Sequence, residues 1–139
     1  MIAGLRRSRG KLGMKVVGLD HLVLTVASID RTVEFYGRVL GIERIQFGLG
    51  NRTALRFGDQ KINLHQSGRE FSPRAARPWP GSADLCFLVD DIDAVAAHLD
   101  ACDVPTIEGP GPRSGARGEI RSFYIRDPDG NLIELSAYV

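Results

Sequence analysis

Four side chains in this 139-residue sequence have the types and the spacing to hold a divalent metal: His21, His65, Asp84 and Glu134. Two imidazoles and two carboxylates converging in a cleft suit a first-row cation such as Fe, Ni, Zn or Mn. The carboxylates offset its charge, and open positions are left for a substrate. Glu134 stands out because it interrupts the apolar run Leu132-Ile133-Leu135. A charge in a packed interior needs a partner, a proton or a metal. Taken singly, each residue has a plainer reading: a half-buried strand histidine, a strand-end acceptor, an ion-pair partner. Their placement in an internal repeat is what joins them.

The elements that must position them read as β-α-β-β-β written twice. Residues 18–26 form a β-branched apolar strand. Ser28 or Asp30 then caps a helix carrying Val33, Tyr36, Val39 and Leu40 at helical spacing, and Gly41 closes it. Strands follow at 43–47, 53–57 and 61–65, the last two joined by Gly58-Asp59-Gln60 as a hairpin. Residues 66–81 hold three prolines and two glycines and read as a linker or wrapping loop. The second unit has a strand at 83–89, a helix from 90–93 to about Cys102, a Gly/Pro-rich loop at 108–118 and a terminal hairpin. That hairpin turns on Asp127-Pro128-Asp129-Gly130.

His21, Val26, Ile29 and Asp30 recur as Asp84, Val89, Ile92 and Asp93, each shifted by 63, and His65 maps to Glu134 with a shift of 69. Strand alternation puts each of the four on the wetter face of its strand, with an apolar face left for the helix. Arg56, Lys61 and Asn63 fall on the same inner face as polar lining. Cys86 reads as a small core residue, His98 as a surface or interface residue, and Trp79 as capping the rim or, more simply, packing between the two units.

The bulk numbers fit one soluble domain with a real core, at 43% hydrophobic and 25% charged residues. No run approaches the length of apolar sequence that a membrane span needs. The net charge of +1 hides an asymmetry: Arg6, Arg7, Arg9, Lys11 and Lys15 leave thirteen basic against seventeen acidic residues beyond position 15. That balance argues against a nucleic-acid surface. Residues 1–15 read as a flexible basic tail with no apolar segment of a secretory signal. Two cysteines are too few for a disulfide framework and fit a reducing cytoplasm.

The opening LDHLVLTVASIDRTVEFYGRVLG and the closing FYIRDPDGNLIEL resemble the two signatures of the vicinal oxygen chelate superfamily, which includes glyoxalase I, bleomycin and fosfomycin resistance proteins and extradiol dioxygenases. FGDQKINLH, AARPWPGS, ACDVP and EGPGPRSGARG resemble its glyoxalase-domain-containing group with virulence-associated members. The resemblance implies an α+β fold of two βαβββ modules, about 18–67 and 82–139 with a linker at 68–81, forming a U-shaped, partly closed mixed sheet around a metal cleft. It implies one divalent ion per site (Ni, Zn, Fe, Mn or Co) and, in so short a member, a homodimer. His21, His65 and Glu134 are the implied ligands. Asp84 falls where glyoxalase I often has a fourth, commonly His, so three or four protein ligands both remain open.

The implied activity is a glyoxalase-like lyase or isomerase reaction on a small dicarbonyl-derived substrate, such as a thiol adduct. The metal would chelate vicinal oxygens and acidify the adjacent C–H, with Glu134 or Asp84 as base. Tyr124 matches a tyrosine used near the metal in dioxygenases, and Arg113 and Arg117 sit in a loop suited to clamping an anion. An Fe(II) extradiol dioxygenase is the first alternative, opposed by the missing histidine at position 84 and the short chain. A non-catalytic drug- or metabolite-binding resistance protein is the second, opposed by the intact His21, His65 and Glu134.

Overall fold

The computed structural model describes residues 13–139. The basic tail expected over 1–15 lies mostly outside the described residues. The chain forms two four-stranded mixed sheets, each with its own helical segment, an α+β arrangement that does not close into a barrel.

In the first unit, strand β1 (His21–Val26) leads into helix α1 (Ile29–Leu40) and the meander β2 (Glu43–Phe47), β3 (Arg52–Phe57) and β4 (Gln60–Gln66). The strand order is β1-β4-β3-β2, with β1 parallel to β4 and the rest antiparallel. Ser28 is the helix cap: its side chain accepts the Arg31 N–H at 3.2 Å. Gly41 ends the helix in the left-handed region at φ 66°, a conformation that any Cβ would disfavour. The helix lays Phe35, Tyr36 and Val39 on the apolar face of the sheet.

The second unit repeats the order with β5 (Asp84–Leu88), a 3₁₀ turn (Ile92–Ala94), helix α2 (Val95–Ala101), β6 (Glu108–Gly115), β7 (Gly118–Arg126) and β8 (Leu132–Tyr138). Its order is β5-β8-β7-β6. The segment expected as a Gly/Pro-rich loop is the edge strand β6, which includes Pro110 and Pro112. An edge strand tolerates proline, because no ladder bond is required on its outer side. A bulge between Glu108 and Gly111 absorbs the irregularity. Gly109 there has φ 104°, and a Cβ would collide with the Ser122 carbonyl.

The two units share one core. Tyr36 meets the Phe87 ring edge-on at 6.4 Å, and Phe57 meets it at 5.4 Å. The Tyr36 hydroxyl donates to Asp127 at 2.7 Å across the unit boundary. Burial, then the Asp127 charge, holds that phenol protonated far above its usual range. Asp127 also accepts the backbone N–H groups of Asp129 and Asn131 and the Asn131 side chain. A buried carboxylate with that many donors stabilises the turn expected at 127–130. His98 joins the units as well, through Nε2 and the Val39 carbonyl at 2.6 Å.

The ladders correct one correspondence. In the first sheet Val23 faces Asn63, and in the second Cys86 faces Glu134. Val23 and Cys86 are the equivalent positions under the shift of 63, so the counterpart of Glu134 is Asn63, not His65. A two-residue slip leaves every side chain on its own face, so strand parity cannot detect it.

Candidate functional site

On the side of the second sheet away from the helix stand Asp84 and Cys86 from β5, Glu134 and Ser136 from β8, and Ser122 and Tyr124 from β7. Ile133, Leu135, Phe123 and Ile125 alternate with them into the core. Glu134 is partly open to solvent, and one carboxylate oxygen, Oε2, accepts from Ser122 at 2.6 Å and from Ser136 at 3.4 Å. Both serines are buried and lie 2.6 Å apart. Tyr124 is the cross-strand neighbour of Glu134, and its oxygen accepts from Arg113 Nε at 3.1 Å. Burial, then the Glu134 charge, raises the Tyr124 phenol against the opposing pull of Arg113, so its O–H stays protonated near neutral pH. Arg113 also ion-pairs with Glu108. Arg117 lies over the Tyr138 ring at 4.3 Å and donates its N–H to that hydroxyl.

Cys86 belongs to this open face, not to the core: it is exposed and donates to Ser136 at 3.3 Å. The side chain at 86 points to the same side as Asp84, as strand alternation requires of positions two apart. Burial, with the Glu134 and Asp84 charges adding to it, pushes its thiol up, so it is no ready nucleophile.

The matching face of the first sheet is packed differently. His21 at its edge pairs with Asp20 at 2.8 Å and is exposed. Lys61 stands 3.5 Å over the Phe47 ring, and Arg56 pairs with Glu43 at 3.1 Å. Arg52 lies 4.5 Å over Phe71 and donates to His65 Nε2 at 3.1 Å. His65 is 3% exposed, and burial first, the Arg52 cation second, holds its imidazole below the ordinary range. Asn63 is 5% exposed, and its Oδ1 has no hydrogen-bond partner among the described residues.

Within the described part of one chain, no three His, Cys, Asp or Glu side chains converge as a divalent cation requires. A single copy therefore does not fit a metal. It presents two half-sets instead: His21 with Asn63 on one sheet and Asp84 with Glu134 on the other. The two pairs hold the same diagonal offset in their ladders. Ser122, Ser136 and Arg52 carry no sequence signal for their roles here, since only the cross-strand pairing brings them to Glu134 and His65. Trp79, expected between the units, is 66% exposed at the rim of a cleft.

A family model described as the Glyoxalase/Bleomycin resistance protein/Dioxygenase superfamily matches residues 18–135. The chain belongs to that superfamily. It is 56% identical over 122 residues to Virulence protein STM3117 of Salmonella typhimurium, covering 87% of this chain and 84% of that protein. The crystal structure of that protein superposes with a TM-score of 0.88, covering 91% of this chain and 100% of the other at 54% identity. The Glyoxalase domain-containing protein RDO1 of Mycosarcoma maydis is 53% identical over 133 residues, 95% of this chain and 74% of its own length. A more distant superfamily member, the probable lactoylglutathione lyase of Vibrio cholerae, is 26% identical over 124 residues, 83% of this chain and 86% of that protein. No helix among the described residues is long and apolar enough to cross a membrane.

Proposed function

We propose that this superfamily member is a divalent-metal-dependent, glyoxalase-like lyase or isomerase acting on a small dicarbonyl-derived substrate. Its working unit is a homodimer in which the first-sheet face of one copy meets the second-sheet face of the other. The observation that carries the reading is Glu134: a carboxylate held through one oxygen by Ser122 on a partly open polar face, with the Tyr124 phenol as its cross-strand neighbour. Such a group is positioned to take a proton from a bound carbon acid.

His21, Asp84 and Glu134 would hold the metal between the copies, with Asn63 Oδ1 as a neutral oxygen donor beside them. His65 is already engaged by Arg52. When bound, the metal would supply Lewis-acid polarisation of a carbonyl oxygen. Tyr124 keeps a proton available at its phenol, and Arg113 holds that oxygen in place. Arg113, which also pairs with Glu108, and Arg117 would be the cations offered to an anionic substrate group. The name of the Vibrio cholerae relative is consistent with a lyase on this scaffold.

The test is metal analysis of the purified protein, followed by assay with methylglyoxal and glutathione after loading with Ni, Zn, Co or Mn. Bound metal and turnover in the wild type, both lost in H21A and turnover lost in E134Q, is the expected result. Full turnover in E134Q, or neither metal nor turnover under any loading, would overturn it.

A further inference from the structure

The ends of β1 and β4 and the 67–83 connection enclose a second concavity, of ≈ 480 Å³, which the reading above leaves without a role. That is the size of a small-ligand site. Its lining combines two chemistries. Val23, Pro78 and Trp79 are apolar, and Trp79 leaves a large aromatic surface in water. The Trp79 carbonyl accepts from Ser82 at 2.7 Å, which anchors this part of the connection. Arg74 and Arg77 add two cations to the lining, and among the described residues neither is in an ion pair.

His65 also lines the cleft. Because Nε2 accepts from Arg52, the neutral ring carries its proton on Nδ1 and remains a donor there. Arg52 sits against the Phe47 and Phe71 rings at 5.4 and 4.5 Å, a fixed positive charge behind the imidazole. No carboxylate side chain lines the cleft. Glu70 is the neighbouring acid, and its carboxylate is taken by the Gly68 N–H at 3.0 Å.

We propose that this cleft binds a planar, apolar carboxylate of about one aromatic ring, with the ring against Trp79 and Pro78 and the carboxylate between His65 and the Arg74–Arg77 pair. The cleft shares no residue with the Glu134 face of its own chain; Val23 and His65 place it beside the first-sheet surface that the proposed homodimer turns to its partner, and benzoate binding, read without metal or turnover, stands or falls apart from the lyase reading. Trp79 is the single tryptophan of the chain, so its fluorescence reports this cleft. The experiment titrates the full-length protein with benzoate, benzamide and inorganic phosphate.

Benzoate is expected to give a saturable change, with benzamide weaker by about tenfold, since it keeps the ring and loses the charge. Phosphate, an anion with no ring, is expected to bind more weakly than benzoate. The exposed double variant R74A/R77A is expected to lose benzoate affinity by a similar factor with an unchanged melting temperature. E134Q is expected to bind benzoate as the wild type does. Benzamide binding as well as benzoate, phosphate binding more tightly, no saturation at all, an unaffected R74A/R77A or a loss in E134Q would each overturn the proposal.

Discussion

The two sheets share strand order, helix placement and apolar face, yet their other faces carry opposite chemistry. In the first sheet that face is cationic and aromatic, and its central residues Ala54, Asn63 and His65 are buried, the last against Arg52 and Phe71. In the second it is made of carboxylates and hydroxyls, with Asp84, Cys86 and Leu88 exposed. The half of each strand that feeds the shared core is constrained by packing, so the duplicated units keep it alike. The half that faces away is free to differ. One copy has used it for fixed cation–aromatic packing and the other for acid–base groups on an open surface.

That contrast predicts which kind of loss each face shows on substitution. E134Q should lower turnover by about a hundredfold or more with little change in melting temperature, because it removes a proton acceptor from an open face. Steady-state kinetics beside a thermal melt check this. D127A, at the joint between the units, should cost about 3 kcal/mol in denaturant unfolding, since it strands the Tyr36 hydroxyl and the Asn131 donors. H65A should show the reverse of E134Q: a stability loss of about 2 kcal/mol from an emptied packed site, with much smaller effect on turnover. Equal turnover losses in H65A and E134Q would erase the contrast between the faces.

His65 also gives the contrast a pH dependence. Its imidazole is held below the ordinary 6.5 by burial and by Arg52, so protonation favours the unfolded chain. The stabilisation is complete above that value and is lost as pH falls through it toward the folded-state value. The wild type should therefore lose more stability than H65Q between about pH 7 and pH 5. The smallest expected effect is at Ser122. S122A should lower kcat a few-fold and leave KM unchanged, because Ser122 positions Glu134 without facing substrate.

Much of this architecture is legible in the residues themselves. The Ser28 and Gly41 caps, the turn at 127–130 and the strand alternation lead to the elements the structure shows, and the repeat leads to two units. Three features are not legible, each for a physical reason. The edge strand β6 is hidden because glycine and proline report loop propensity, while an edge position tolerates them. The match of Glu134 to Asn63 is hidden because parity is blind to a two-residue slip. The exposure of Trp79 is hidden because apolar composition does not say which face of a linker is covered. The side chains proposed here as metal donors were visible by type and spacing, apart from the register that brings in Asn63.

The central claim is that the two faces are halves of one site completed by a second copy, and subunit mixing tests it most directly. H21A and E134A, each inactive alone, are combined under conditions that allow exchange and then assayed with metal. Random pairing makes half of the dimers mixed, each with one intact site, so about a quarter of wild-type activity should return. No recovery despite demonstrated exchange would place His21 and Glu134 in the same site of a single chain and contradict the account.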